Sequence, residues 1–177
     1  MADGDFVEKL VLKPGTCTPY LTNFERSEDG ENFVLQDFNL QNRRVESLAK
    51  TMDECKEVRR CDLSVNNIVD VAMLKDMQML VHLNLAKNKI KSLGIFCQED
   101  LFPNLKWLDV SNNKITEMPG FKLPKLEYLD ISFNKLEKIN DGWQGHATLR
   151  TLKAVDNKFK SLSQFKACPK LETLYMA

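Results

Sequence analysis

The sequence has no long apolar run. Its first residues, MADGDFVEKL, mix acidic and apolar types, so neither a secretory signal nor a transmembrane helix is expected. It also lacks an Asn-x-Ser/Thr acceptor for N-glycosylation. These absences favour a cytoplasmic protein without a membrane partner.

An excess of charge of one sign is absent as well. The 177 residues carry 25 basic and 25 acidic side chains, a formal net charge of zero. General attraction to nucleic acid or to an anionic membrane is therefore not implied. Recognition by charge would have to come from local patches.

Residues that bind metals or perform catalysis are few. The two histidines, His82 and His146, lie far apart, and the five scattered cysteines lack paired close spacing, which favours reduced thiols over a zinc site. No Walker loop, Gly-x-Ser-x-Gly, His-Glu-x-x-His or kinase signature is present. We therefore expect no enzyme activity, no cofactor and no bound metal.

The sequence does contain a repeat. The register Leu-x-x-Leu-x-Leu-x-x-Asn-x-Ile-x-x-Leu recurs down most of the chain, most clearly at Leu80, Leu83, Leu85, Asn88, Ile90 and Leu93. The repeats begin 21 to 25 residues apart, at Leu35, Val58, Leu80, Leu105, Leu126, Leu149 and Leu171. The first repeat has Arg43 in place of the asparagine.

The directions of the side chains in this register predict the fold. In Leu-x-x-Leu-x-Leu the side chains alternate inward and outward, so each repeat adds one strand to a parallel sheet. The asparagine lies at the following turn, where its amide can bond backbone groups left unpaired. The pattern predicts an α/β solenoid, a right-handed curved coil with six or seven parallel strands on the concave face and short helices or loops on the convex face.

The return segments are predicted to contain short helices. Helical spacing of apolar residues indicates one between Leu48 and Cys55 and another from Met73 to Leu80. The longest repeat, with the stretch LGIFCQEDLF, is expected to carry a longer helix or a bulged loop.

Both ends of the chain depart from the repeat. Residues 1–34 are expected to form an N-terminal cap with a turn at Lys13–Gly15, and residues 35–177 the solenoid, about six and a half repeats. The incomplete last repeat would leave Leu174 and Met176 at an open sheet edge. We expect a longer natural chain, or cover by another subunit, including self-association.

The repeats resemble the 22-residue class of leucine-rich repeats found in intracellular regulators of protein phosphatase 1 and in axonemal dynein-associated and radial-spoke proteins. Residues 35–177 carry the resemblance, and the segments LPKLEYLDISFNKLEKI and CPKLETLYMA are especially similar to the ciliary proteins. The resemblance implies a protein-binding scaffold in a ciliary or cytoskeletal assembly or, alternatively, a phosphatase regulatory subunit. It does not identify the partner, because consensus residues report the fold.

The outward strand positions form the candidate binding face. Trp107 and Tyr128 occupy the same position of adjacent repeats, and Phe133 is expected close to both. Aromatic side chains that point away from a core are frequent interface hot spots. The predicted contacts for a partner helix or loop are Arg60, His82, Trp107, Asp109, Tyr128, Asp130, Phe133 and Lys153.

Several alternatives stay open. The aromatic rings could merely stack on one another, as exposed apolar residues often do. Asp109 and Asp130, about 5 Å apart on the sheet, could hold a cation, although two solvated carboxylates are the simpler expectation. A ribonucleoprotein role is less favoured, since the outward positions mix charges and lack an arginine–lysine stripe.

Overall fold

The computed structural model of the chain describes residues 10–11, 18–26, 33–48, 55–140, 143–161, 165 and 167–176. Strands and short 3-10 helices make up the regular structure of these ranges. The strands are β1 Leu10–Val11, β2 Leu21–Arg26, β3 Phe33–Asn39, β4 Val45–Ser47, β5 Arg60–Asp62, β6 His82–Asn84, β7 Trp107–Asp109, β8 Glu117–Met118, β9 Tyr128–Asp130, β10 Lys138–Ile139, β11 Thr151–Lys153 and β12 Thr173–Tyr175.

One sheet of eight strands dominates the described residues. Its order is β12-β11-β9-β7-β6-β5-β3-β2, and all neighbours are parallel except β2 and β3. Equivalent residues of successive repeats face one another, so that His82 pairs with Trp107 and Trp107 with Tyr128. The predicted solenoid and its six or seven parallel strands are confirmed, each repeat forming one coil.

The described residues contain less helix than the predicted α/β class implies. The described helices are 3-10 turns at Thr18–Tyr20, Ala72–Asp76 and Gly94–Cys97. The second matches the helix expected from Met73, and the third lies in the longest repeat. The helix expected between Leu48 and Cys55 and the turn at Lys13–Gly15 lie outside the described residues. No helix within the described ranges is long and apolar enough to cross a membrane.

The antiparallel strand β2 covers one edge of the sheet. It runs along β3, with Leu21 opposite Phe38, while β1 pairs with β4 in the same coil. The Arg43 guanidinium lies 6.0 Å from the ring centroid of Tyr20. The expected boundary between an N-terminal cap, residues 1–34, and the solenoid, residues 35–177, stays a prediction.

The core lies behind the sheet and follows the repeat. The middle residue of each short strand and the apolar residue two positions later point inward, and those predicted to be buried are fully enclosed: Leu83, Leu85, Leu108, Val110, Leu129, Ile131 and Leu152, each 0% exposed. Stacked coils therefore bury one continuous column of aliphatic side chains, the main stabilising term of the fold.

The repeat asparagines form a buried hydrogen-bonded ladder. The Asn113 amide donates to the carbonyls of Val110 and Ser111 in its own coil and of Leu85 in the preceding one, at 3.0–3.1 Å. Its carbonyl oxygen accepts the Ile90 N–H at 2.9 Å. The same pattern recurs at Asn66, Asn88, Asn134 and Asn157. Each asparagine thus joins two coils, as the sequence predicts.

Replacing one ladder residue should destabilise the solenoid. We expect Asn113→Leu to lower the free energy of unfolding by about 1–3 kcal/mol, because buried backbone groups lose their partners. Urea unfolding measures the change. Asn67→Lys is the control, since later coils carry lysine at this neighbouring position, and it should change stability by less than about 0.5 kcal/mol. Equal stability of Asn113→Leu and the parent would contradict the ladder's role.

Candidate protein-binding face

Two columns of side chains line the face of the main sheet that is turned away from the core. We call this face, which is the predicted concave side, the sheet face. The first residue of each short strand forms the outer column, Arg60, His82, Trp107, Tyr128, Thr151 and Thr173. The third residue forms the inner column, Asp62, Asn84, Asp109, Asp130, Lys153 and Tyr175. Because the strands are parallel and in register, neighbours in a column are separated by about one strand spacing, roughly 4.8 Å.

Three aromatic residues of the outer column form a continuous stack. The His82 and Trp107 ring centroids are 3.8 Å apart and nearly parallel, at 7°. Trp107 and Tyr128 follow at 4.8 Å and 6°. All three residues are partly exposed. The faces of the indole are therefore covered on both sides, and the ring edges point towards solvent.

Lys153 extends this stack into the inner column. Its ammonium nitrogen lies 5.4 Å from the Tyr128 ring centroid and 5.5 Å from that of Tyr175, within cation–π range. Contact with the Tyr128 hydroxyl is the main cause of a raised Lys153 pKa. Burial raises the pKa of Tyr128. Five side chains from five coils thus form one row, and the sequence did not reveal the contribution of Tyr175.

Of the two acidic residues beside the stack, Asp109 is partly exposed, whereas Asp130 is buried, contrary to the expectation of two solvated carboxylates. Asp130 is only 9% exposed, and its carboxylate accepts the Ser132 N–H at 2.9 Å. Asp109 accepts the Ser111 N–H in the same way at 2.8 Å. Burial is the main cause of a raised Asp109 pKa, and the neighbouring Asp130 charge adds to it. The Asp130 carboxylate also accepts a hydrogen bond from the Tyr128 hydroxyl at 3.4 Å, so its neighbours on the sheet cover it.

Sequence reasoning missed that this local bond recurs at all four Asp and Asn residues of the inner column. Asp62 and Asn84 also accept the backbone N–H two residues further on, at 2.9 and 3.1 Å. Such bonds close a small turn at the end of a strand. The recurrence of Asp or Asn at one repeat position was the available signal. The inner column therefore helps to hold the sheet ends as well as facing solvent.

Arg60 and Phe133 are not members of the aromatic stack, although Arg60 is the neighbour of His82 in the outer column. Arg60 forms a two-pronged ion pair with Asp37 of the preceding coil, at 2.7 and 3.1 Å. Phe133 is 48% exposed but makes no ring contact with Trp107 or Tyr128. That Phe133, five positions after Tyr128 in the chain, lies close to these two rings stays a prediction. Phe133 lines a hollow of about 460 Å³ beside Lys153 and Tyr175.

The other polar residues considered from the sequence lie away from this face. His146 is buried at 8% exposure, and burial lowers its pKa. It lines a separate cavity of about 360 Å³ with Phe121 and Thr148. The described cysteines, Cys55, Cys61, Cys97 and Cys168, are reduced, whereas Cys17 lies outside the described residues. Across the described ranges, no group of three or more His, Cys, Asp or Glu side chains could hold a metal ion.

Comparisons with known proteins agree with this architecture. Residues 103–143 match a family model described as leucine-rich repeats in two copies, and residues 76–97 match a second leucine-rich-repeat model. No curated protein matches the chain. These segments therefore contain leucine-rich repeats, and the chain has the fold of a leucine-rich-repeat solenoid.

Solved structures show the same fold at low identity. An internalin (inlF) from Listeria monocytogenes str. 4b F2365 is 19% identical with a TM-score of 0.51 over 84% of this chain. Internalin C2 from the same strain is 21% identical with a TM-score of 0.50 over 81% of this chain. The chain spans 54% of the first internalin's length and 74% of the second's. At this identity the likeness concerns the fold alone.

The histidine in the stack should titrate at unusually low pH. Burial is the main cause that lowers the His82 pKa, with Arg60 adding to it and Asp62 opposing. The folded-state pKa of His82 lies below the unfolded value of about 6.5. Neutral His82 therefore contributes to folding stability above pH 6.5, and this contribution is lost as the pH falls through the folded-state pKa. NMR titration should give a His82 midpoint below 6.5 and a higher one in Trp107→Ala. The His146 midpoint is the internal control and should not move. An unchanged His82 midpoint would show that the indole does not desolvate the imidazole.

Proposed function

We propose that the chain is a non-catalytic scaffold that binds another protein on its sheet face. The observation that supports this proposal most is the ordered stack of His82, Trp107 and Tyr128, with ring edges open to solvent. Trp and Tyr are enriched among interface hot spots because they bury a large area with few rotatable bonds. The rings are already stacked in the unbound chain, so association would require little further ordering of these side chains.

The surroundings of the stack favour a partner with both apolar and polar contacts. Phe133 and Tyr175, 48% and 50% exposed, extend the apolar area around the hollow. The partly exposed Asp109 and Lys153 place both signs of charge beside the rings. A helix or loop that covers the ring edges could pair with these charges at its rim, where they would contribute to specificity.

The rival interpretation is that the stack only stabilises the sheet. Stacked side chains from adjacent coils would support coil-to-coil packing even if no partner existed. The two interpretations differ in what aromatic substitution changes. A purely structural stack affects the melting temperature, whereas a binding stack affects affinity more than its stability cost explains.

Paired alanine substitutions separate these interpretations. Proteins captured on the parent chain are first identified by mass spectrometry, and their affinity is then measured for Trp107→Ala/Tyr128→Ala. We expect a loss of more than about 2 kcal/mol of binding free energy. Val69→Ala removes an exposed apolar side chain that is outside the two columns, and it should bind as the parent does. Unchanged affinity in the double variant, with a lowered melting temperature, would favour the structural role.

The cellular setting is a finer proposal that rests on the sequence resemblance. We place the protein in the cytoplasm, in a ciliary or cytoskeletal assembly, with a phosphatase regulatory role as the alternative. Affinity purification followed by a phosphatase assay and by identification of axonemal components distinguishes the two. Recovery of neither class would argue against both.

Self-association is a further proposal for the β12 end of the sheet. The outer edge of β12 is unpaired within the described residues, and Leu174 and Tyr175 are 43% and 50% exposed. An open edge with apolar side chains favours strand pairing with another chain. Light scattering of the protein and of Leu174→Lys tests this, since a monomer in both cases would argue against pairing here.

A further inference from the structure

A row of lysines lies just beyond the asparagine ladder, outside the sheet face. Four consecutive coils carry lysine directly after the ladder asparagine, at Lys89, Lys114, Lys135 and Lys158. All four side chains are exposed. Because the chain has no net charge, this row is a local concentration of one sign rather than a result of general basicity.

The backbone fixes the spacing of this lysine row. Each lysine N–H donates to the carbonyl of the preceding coil, for example Lys114 to Ile90 and Lys135 to Ile115, both at 2.9 Å. Successive lysines are therefore held about one strand spacing apart, roughly 4.8 Å, and the row is about 14 Å long. The positions, although not the flexible ammonium groups, are set before any ligand binds.

The row carries charge that the described residues do not neutralise. None of the four lysines forms an ion pair in the described part of the chain, whereas Lys106, Lys122 and Lys138 each pair with a glutamate. Neighbouring lysine positions are about 4.8 Å apart, so their charges interact within the screening length of about 8 Å at physiological ionic strength. They repel one another in the free protein, and an anionic ligand would relieve this repulsion.

We propose that the lysine row binds an acidic α-helix of a protein partner, lying along the solenoid axis. Carboxylates at i, i+3, i+7 and i+10 of a helix share one stripe and lie about 4.5, 10.5 and 15 Å from the first. The lysines lie at about 4.8, 9.6 and 14 Å from the first. The two rows match to about 1 Å, which lysine side chains readily accommodate.

The flanking residues favour a narrow ligand over a broad anionic surface. Glu137 and Asp156 are exposed and lie two residues from Lys135 and Lys158. A membrane surface or a nucleic acid backbone would bring phosphates against these carboxylates as well as against the lysines. A helix presents one stripe of charge and can contact the row alone.

Direct binding of a synthetic peptide tests the proposal. The probe is an alanine-based helix with glutamates at i, i+3, i+7 and i+10, and its control has the same composition with the glutamates distributed around the helix. Fluorescence anisotropy with the full chain should show tighter binding of the striped peptide. Lys114→Glu/Lys135→Glu should weaken this binding about tenfold, since two weak surface attractions become repulsions.

A matched charge change provides the control. Lys75→Glu/Lys170→Glu alters two exposed lysines outside the row by the same net charge and should leave the affinity within about twofold. Equal loss in both double variants, or equal binding of the two peptides, would overturn the proposal. It would also be overturned if single-stranded DNA or phosphatidylserine vesicles bound more tightly than the striped peptide with the same dependence on Lys114 and Lys135. None of these outcomes depends on the sheet face, so its binding role is tested separately.

Discussion

The hydrogen bonds that join each coil to the next are the constraint on which the rest of this structure depends. Backbone N–H groups of one coil donate to carbonyls of its neighbour along the short strands and again after the turn. The ladder asparagines complete this network where the chain leaves the sheet. With the coils held in register, residues a repeat apart in sequence become neighbours in space.

Registration converts sequence position into surface columns. The stack of His82, Trp107 and Tyr128 exists because three aromatic residues occupy one repeat position in successive coils. The lysine row arises in the same way from another position. The coil geometry that all repeats share does not specify a partner. The positions that vary between repeats form surfaces of distinct chemistry on the same scaffold.

The periodic part of the fold could be predicted from the sequence, because the same buried apolar positions and the same asparagine recur in each repeat. The burial of Leu108 and the hydrogen bonds of Asn113 were predicted correctly, because equivalent residues in five coils are buried or hydrogen-bonded in the same way. Asp130 was misjudged because an outward strand position does not determine where a short polar side chain finds its hydrogen bond. The Arg60–Asp37 pair was missed because Asp37 lies in the irregular first coil. The lysine row lies after the turn, beyond the strand positions from which the binding face was predicted.

The binding role of the sheet face is tested most directly at Trp107. The sequence contains two tryptophans, and Trp143 is buried at 6% exposure, so Trp143→Phe leaves Trp107 as the single tryptophan. Incorporated as fluorotryptophan, it gives one fluorine NMR signal that a captured partner cannot contribute. If the sheet face binds the partner, a saturating amount of partner shifts this signal and reduces its solvent isotope effect. A signal with unchanged position and isotope effect in the fully bound complex would contradict it.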